Sequence, residues 1–216
     1  MTQWKYQARI FTEKDPKDLR KELKTSDLSG REKNATDLYV VGPSPIVVRT
    51  RDGQIKIKGP RSSIDAVVDE LRDDRLNFPI SSATVDEAIG LYKKQNPGQL
   101  LTEADLMKYA ASRSEAVATK VAKESMKYDS YGIPTKLQRP TISSRVGMAT
   151  MDRIGTKPFE LEVSQVTIDG KVLYTVAVAS NDVAQIHDVL NQLGILRLPN
   201  SRKMEYAEAI RNYHKQ

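Results

Sequence analysis

The sequence predicts an α+β protein in which helices flank an antiparallel, barrel-like sheet that is closed or nearly closed on itself. Several segments alternate polar and apolar residues, as half-buried β-strands do. Two Asp-Gly pairs, at residues 52–53 and 169–170, separate alternating segments and are typical of two-residue hairpin turns. Amphipathic segments with capping residues fill much of the remaining chain, and these predict helices.

The hairpin around Asp52-Gly53, VVRTRDGQIKIKGP, carries a strongly basic face. A two-residue turn fixes a register with three facing pairs: Arg51 with Gln54, Arg49 with Lys56, and Val47 with Lys58. The side chains that then share one side of the hairpin are Arg49, Arg51, Lys56 and Lys58. Because like charges that face each other in a sheet are mildly unfavourable, this face suggests a bound anion. The alternative is a solvated outer face on which the long side chains splay apart.

Further alternating segments predict strands of the same sheet, at residues 4–11, 36–41, 159–168 and 172–179. On the first of these, Arg9 shares a side with Lys5 and Gln7. On the third, Glu160 and Glu162 lie two residues apart and therefore share a face. Residues 141–151 are a weaker strand candidate, with Arg145 on the more polar side.

Capping residues and apolar periodicity predict the helices. They cover residues 15–24, residues 62–73, a segment capped by Thr84 and Glu87, residues 102 to about 127, a segment between Asn181 and Gly194, and about 202–213. Residues 81–131 then form a helical insertion within a single domain of residues 1–216. His187 and His214 fall on predicted helices, where an exposed position is favoured over a catalytic role. Solvated positions are expected for Lys93, Lys94, Arg202 and Lys203.

Composition and charge exclude several kinds of site. The chain has 216 residues, a formal net charge of +6 and no cysteine, so disulfides and cysteine-ligated metal centres are absent. No signal-peptide pattern and no apolar run of membrane-spanning length is present, which favours a cytoplasmic location. The moderate positive charge is compatible with an anionic partner.

The order of several segments resembles that of CYTH-like domains, which belong to the triphosphate tunnel metalloenzyme superfamily. The segments are TDLYVVG, VVRTRDGQIKIKGP, LEVSQVTIDGKVLYTVAVASND and PNSRKMEYAEAI, and they cover both ends of the chain but not its middle. The resemblance implies an antiparallel β-tunnel whose inward Arg and Lys side chains bind a triphosphate and whose inward carboxylates hold Mg²⁺ or Mn²⁺. The candidate ligand-binding residues are then Arg9, Arg49, Arg51, Lys56, Lys58 and Arg145.

The chain departs from the CYTH-like pattern at the positions that would hold the metal. The Glu-x-Glu-x-Lys signature of the first strand is replaced by Lys5, Gln7 and Arg9, and a late strand offers Ala177 and Ala179 in place of an acid. Without these carboxylates a divalent cation, which prefers oxygen ligands, has no obvious hold. The remaining metal candidates are Glu160, Glu162 and Asp37, and for the two glutamates salt bridges or a solvated face are the favoured alternative.

Three function classes follow from these observations. The first is a tunnel protein that binds a phosphorylated or polyanionic ligand without metal-dependent hydrolysis and needs no cofactor. The second is a divergent hydrolase of triphosphates or phosphate esters that uses Mg²⁺ or Mn²⁺. The third is a structural or interaction subunit that docks on a protein partner through the helical insertion. Nucleic acid is a weaker candidate, because three Phe and one Trp offer few stacking platforms.

Overall fold

The computed structural model describes residues 4–42, 47–51, 54–58, 62–71, 74–77, 80–81, 100–102, 104–105, 108, 117–130, 135–138, 151–154 and 157–214. The strands are β1 Tyr6–Thr12, β2 Ser29–Val41, β3 Val47–Arg51, β4 Gln54–Lys58, β5 Val68–Glu70, β6 Asp74–Asn77, β7 Ile80–Ser81, β8 Leu100–Leu101, β9 Val117–Ser130, β10 Thr135–Gln138, β11 Met151–Ile154, β12 Phe159–Ile168, β13 Lys171–Ser180 and β14 Arg202–Lys203. The helices are α1 Lys17–Lys24, α2 Val183–Gln192 and α3 Tyr206–Tyr213, with a 3₁₀ turn at Ile195–Arg197.

One antiparallel sheet joins strands from both ends of the chain. Its order is β14-β1-β13-β12-β9-β2-β3-β4-β6, and β5 also pairs with β1. The pairs β10-β11 and β7-β8 are separate from it. Among the described strands, β14 and β6 end the order without pairing with each other, so the sheet is open rather than a closed barrel. The predicted α+β class and the antiparallel sheet are confirmed.

Both predicted hairpins have the expected register. In the first, Arg49 faces Lys56 and Val47 faces Lys58, although the turn residues 52–53 lie outside the described residues. In the second, Ile168 faces Lys171 across a two-residue turn. Asp169 and Gly170 have φ values of 48° and 83°, the left-handed backbone that a type I′ turn requires.

The two faces of the sheet are covered by different helices. On one face, Leu161 and Val178 pack with Leu19 and Leu23 of α1 and with α2, in one hydrophobic cluster. Side chains adjacent in sequence along each strand point to opposite faces of the sheet, so the neighbours of these residues lie on the other face. There the second cluster brings α3 against Phe11, Tyr39, Val121, Val166, Ile168 and Leu173.

Tyr206, the first residue of α3, shows that the sheet curls toward this second face. Its ring centroid lies 5.4 Å from that of Phe11 in β1 and 5.5 Å from that of Tyr39 in β2. These strands are four positions apart in the sheet order, which in a flat sheet would separate them by roughly 19 Å. Because both rings reach the same tyrosine, the strands curve around the start of α3.

The prediction of a helix from residue 102 to about 127 is wrong in its second half, because β9 is a strand that pairs with both β2 and β12. The end of the predicted insertion at 81–131 is therefore wrong too. Residues 82–99 lie outside the described residues. Two strand partners supply β9 with main-chain hydrogen bonds on both edges, and this tertiary pairing overrides the helix propensity of its alanines and lysines.

The predicted helix at 62–73 is also wrong. Asp65 accepts hydrogen bonds from the backbone N–H groups of Val67 and Val68, at 2.8 and 2.9 Å, and this bend leads into β5. A carboxylate that caps its own following backbone competes with helix formation.

The remaining helix boundaries shift by smaller amounts. Asp182 rather than Asn181 caps α2, by accepting from the backbone N–H of Gln185 at 3.0 Å. The segment at 202–213 begins as β14 and becomes helical at Tyr206. Most of the weak strand candidate at 141–151, with Arg145, lies outside the described residues. No helix in the described part of the chain is long and apolar enough to cross a membrane.

Replacing Ala122 with threonine tests the strand assignment of β9. Ala122 is exposed and faces Thr36 on β2 and Thr167 on β12. In a strand, the β-branched side chain with threonine neighbours should raise the free energy of unfolding by about 0.2–1 kcal/mol. In a helix the same change would lower it by about 0.5 kcal/mol. Urea unfolding measures the sign, and Ala122→Gly, which weakens either structure, calibrates the measurement.

Candidate functional site

One face of the curled sheet carries rows of charge that cross the strands. A single row runs through Arg9, Ala177, Glu162, Lys127 and Arg31 on five neighbouring strands. The described cations of this face are Arg9, Arg31, Lys33, Arg49, Arg51, Lys123 and Lys127, and its acids are Asp37, Asp129, Glu160 and Glu162. We call these residues the charged face. Its cations outnumber its carboxylates, so the face is positive.

Glu162 lies at the centre of the charged face and is only 7% exposed. Its Oε1 accepts from Lys123 Nζ at 2.5 Å and from Arg9 Nη1 at 3.5 Å, and Lys127 Nζ lies 3.6 Å from its Oε2. Burial alone would raise the pKa of Glu162, but the three cations hold it well below the ordinary value. Glu162 is therefore a charged carboxylate, locked by ion pairs from strands on both sides.

Arg9 is buried together with Glu162. Its Nη1 also donates to Thr175 Oγ1 at 3.4 Å, and its guanidinium lies 5.0 Å from the ring centroid of Tyr206. Burial opposes its charge, but Tyr206 and Glu162 raise its pKa above the ordinary value. Lys123 Nζ lies 5.7 Å from the same ring. Tyr206 thus contacts two cations of the charged face and covers its inner end.

A second buried acid, Asp37, holds the arginines of the basic hairpin. Arg51 Nη2 donates to Asp37 Oδ2 at 2.6 Å, Arg51 Nε donates to Oδ1, and Arg49 Nη1 lies 3.5 Å from Oδ2. Asp37 is 2% exposed, and its hydrogen bonds raise the pKa of Arg51. An internal carboxylate therefore compensates part of the repulsion between like charges on this hairpin.

The outer end of the charged face is more exposed. Arg31, whose side chain is 60% exposed, lies 3.2 Å from Glu160 and 3.3 Å from Asp129. Lys127 Nζ donates to Glu160 Oε1 at 2.5 Å. Arg31 is thus the exposed side chain of this group, whereas Asp129, Glu160 and Lys127 are largely buried beneath it.

Lys33 differs from the other cations of the charged face. It is exposed, it faces Ser125, and no carboxylate pairs with it among the described residues. Partial burial and the nearby charges of Lys127 and Arg51 lower its pKa. Its ammonium group is the uncompensated positive charge of the described face.

The predicted binding residues fall in three groups. Arg9, Arg49 and Arg51 lie on the charged face. Lys56 and Lys58 occupy register positions of that face, opposite Arg49 and Val47. Arg145 lies outside the described residues. Their role in binding a ligand stays a prediction.

Sequence reasoning missed Arg31, Lys33, Lys123 and Lys127. A signal was present in the segment from Lys123 to Asp129, where alternate residues are polar or charged, and it was overlooked because that segment was assigned as a helix. Residues 29–35 are polar on both alternating sides apart from Gly30 and Ala35, so they carry no alternation and were not assigned as a strand.

The acids of the charged face are paired with Lys and Arg side chains. Among the described residues, no group of three or more acidic or histidine side chains is placed to hold a metal ion. Glu160, Glu162 and Asp37 each already accept from a Lys or Arg side chain within 2.6 Å. The donor set therefore does not fit the Mg²⁺ or Mn²⁺ that the CYTH-like resemblance implies. Lys5, which replaces the first acid of the CYTH-like signature, is exposed and lies over the ring of Tyr6.

Ion pairs outside the charged face hold peripheral segments in place. Lys203 was expected to be solvated, but its Nζ donates to Asp69 Oδ1 at 2.6 Å and thereby links β14 to β5. His187 Nε2 lies 2.7 Å from Asp65, and His214 contacts Asp169 in the second hairpin turn. Both histidines are only partly exposed and serve as ties between elements.

An antiparallel sheet with helices α1 and α2 outside and basic side chains on its curled face is the arrangement that the CYTH-like resemblance implies. No family model and no curated protein matches the chain. Among solved structures it is similar to a candidate adenylyl cyclase from Hippeastrum described as having a dominant triphosphatase activity, at 10% identity, TM-score 0.45, and coverage of 98% of this chain and 97% of that one.

Two further solved structures give similar values. A candidate adenylate cyclase from Bacillus halodurans has 8% identity and a TM-score of 0.43, over 99% of this chain and 98% of that one. A protein from Pyrococcus horikoshii OT3 has 11% identity and a TM-score of 0.42, over 95% and 98%. At this level of likeness no ligand or activity is carried over to the chain.

Removing the charge of Glu162 tests whether the charged face depends on it. Glu162→Gln leaves buried Arg9 and Lys123 without their shared carboxylate, so the free energy of unfolding at pH 7 should fall by about 3–5 kcal/mol. The folded-state pKa of Glu162 is depressed, so its stabilisation is present above the unfolded-state pKa and is lost as pH falls through the folded-state pKa.

Urea unfolding between pH 7 and pH 3 measures both effects. The wild-type protein should lose stability below about pH 4.5, and Glu162→Gln should lack that part of the slope. Glu124→Gln, an exposed position on the opposite face of β9, is the matched control and should change little. Equal stability of Glu162→Gln and Glu124→Gln would contradict the assignment.

Proposed function

We propose that the protein binds a phosphate-rich anion on the charged face and does not hydrolyse it by a metal-dependent route. The observation that carries this proposal is Lys33, an exposed ammonium group among Lys127, Lys123 and Arg51 with no carboxylate partner among the described residues. Asp37, Glu162 and Glu160 neutralise Arg51, Lys123 and Lys127, and an anion bound beside Lys33 would relieve the repulsion that remains.

The chemistry of the surrounding groups favours phosphate oxygens as the ligand atoms. Guanidinium and ammonium groups form short, charge-assisted hydrogen bonds with phosphate. Arg31 precedes Lys33 on β2, and β3 of the basic hairpin pairs with the later part of the same strand. A polyphosphate carries several charges over a few ångströms and can satisfy more than one of these cations at once.

The positions of the aromatic residues support the outer end of the face as the place where the ligand binds. Tyr206, Tyr39 and Phe11 are buried and fill the space under α3. Arg9 and Lys123, the cations nearest to them, are already compensated by Glu162. The ligand is therefore expected at the outer end, around the exposed side chains of Lys33 and Arg31.

Lys33→Ala separates binding from folding. The change removes the uncompensated cation, so the affinity for tripolyphosphate should fall by about tenfold, the worth of one charge-assisted interaction of about 1.4 kcal/mol. The free energy of unfolding should stay the same or rise, because the change removes repulsion and breaks no described ion pair. Calorimetry gives the affinity and urea unfolding gives the stability.

Lys120→Ala is the control for this experiment. Lys120 is exposed on β9 and its side chain points to the opposite face of the sheet from Lys123. Wild-type affinity should also weaken between low and moderate salt, because the ions screen the site. Two variants decide the question: Lys33→Ala alone, and the double variant Arg49→Ala with Lys56→Ala. If both bind tripolyphosphate with unchanged affinity, the face is only a solvated surface.

We predict that the protein has no metal-dependent triphosphatase activity. Phosphate release from tripolyphosphate and from nucleoside triphosphates, with Mg²⁺ or Mn²⁺, should not exceed the uncatalysed rate, because Glu160 and Glu162 are occupied by lysines. Metal-dependent turnover of roughly 1–1000 s⁻¹, abolished in Glu160→Gln, would place the protein among the hydrolases instead.

A further inference from the structure

The side chain of Lys127 lies between the carboxylates of Glu160 and Glu162. Its Nζ lies 2.5 Å from Glu160 Oε1 and 3.6 Å from Glu162 Oε2, so one ammonium group bridges two acids on the same strand face. Its side chain is 14% exposed, and those of the two glutamates are 15% and 9% exposed. The bridge is therefore largely shielded from water.

A divalent cation that bridges two neighbouring carboxylates would use the same oxygens. Mg²⁺ needs short oxygen contacts of about 2.0–2.1 Å in octahedral geometry, whereas an ammonium group meets the carboxylates through N–H donors. Lys123 donates to the other oxygen of Glu162, which leaves that carboxylate enclosed by cations. Lys127 and Lys123 thus supply built-in positive charge where a metal would otherwise supply it.

We propose that the charged face takes its polyphosphate ligand in the metal-free form, and that the ammonium group of Lys127 stands in place of a divalent cation between Glu160 and Glu162. This inference rests on the proposed function and specifies which species of the ligand is bound. Mg²⁺ bound to a polyphosphate cancels two of its negative charges and brings a cation toward a face that is already positive. Mg²⁺ should therefore act as an antagonist of binding.

Calorimetry with tripolyphosphate tests this at constant ionic strength, with MgCl₂ replaced by NaCl in the reference titration. When about nine-tenths of the tripolyphosphate is complexed by Mg²⁺, only the free tenth is competent, and the apparent Kd should rise about tenfold. Binding that Mg²⁺ leaves unchanged or tightens overturns the inference and leaves the proposed function standing. Absence of binding with and without Mg²⁺ overturns the proposed function as well.

A gain-of-binding variant tests the role of Lys127 without any phosphate. Lys127→Met removes the bridging charge and keeps much of the side-chain volume, so the protein should acquire affinity for Mn²⁺ that the wild-type protein lacks. The paramagnetic resonance signal of free Mn²⁺ reports this directly. Lys120→Met, on the opposite face of β9, should leave the signal as in the wild-type protein.

Three outcomes overturn the role of Lys127. They are Mn²⁺ binding by the wild-type protein that is lost in Glu160→Gln, no gain of Mn²⁺ binding in a folded Lys127→Met, and an equal gain in Lys120→Met. Circular dichroism establishes folding of each variant. If Lys127→Met does not fold, the Mg²⁺ titration of the wild-type protein decides the inference, because it needs no variant.

Discussion

The buried carboxylate of Glu162 is the interaction on which the arrangement of the charged face depends. Arg9, Lys123 and Lys127 approach it from strands on both sides of β12, and without it their mutual repulsion would separate them. Asp37 has the same effect on Arg49 and Arg51. Each buried acid fixes the cations that it neutralises, and the charge that no described acid neutralises lies further out, at Lys33. The inner ion pairs therefore support Lys33 as the place where the proposed anion would bind.

Stability alone does not account for such a cluster. Apolar residues of similar volume often replace a buried ion pair without loss of stability, and sometimes with a gain. A cluster that holds cations in fixed positions does, however, prepare a site for an anion, since less order has to be imposed when the ligand binds. The repulsion around Lys33 works in the same direction, because it lowers the stability of the free protein and would be relieved in the proposed complex. That would be the usual trade between stability and function at a binding site.

Local turn chemistry was enough to predict both hairpins and the register of the basic one, since an Asp-Gly turn of two residues leaves one pairing. The strand β9 was missed because Ala118, Ala122 and their neighbours also suit a helix, and only pairing with β2 and β12 decides between the two. That error concealed Lys123 and Lys127, the lysines that pair with Glu162 and Glu160. Contacts between distant strands, such as Arg9 with Glu162, cannot be predicted from spacing in one sequence.

The proposed replacement of a metal by lysine would change how the face discriminates between ligands. A divalent cation imposes coordination geometry on the oxygens that it binds, and so selects for shape. An ammonium group is a compact charge on a flexible stem, and it accepts an anionic oxygen from many directions. A face built from Lys33, Lys127 and the hairpin cations would consequently select for the number and density of negative charges. Because Tyr206 and its aromatic neighbours cover the inner end, anions of different length would differ only in how far they extend outward past Arg31.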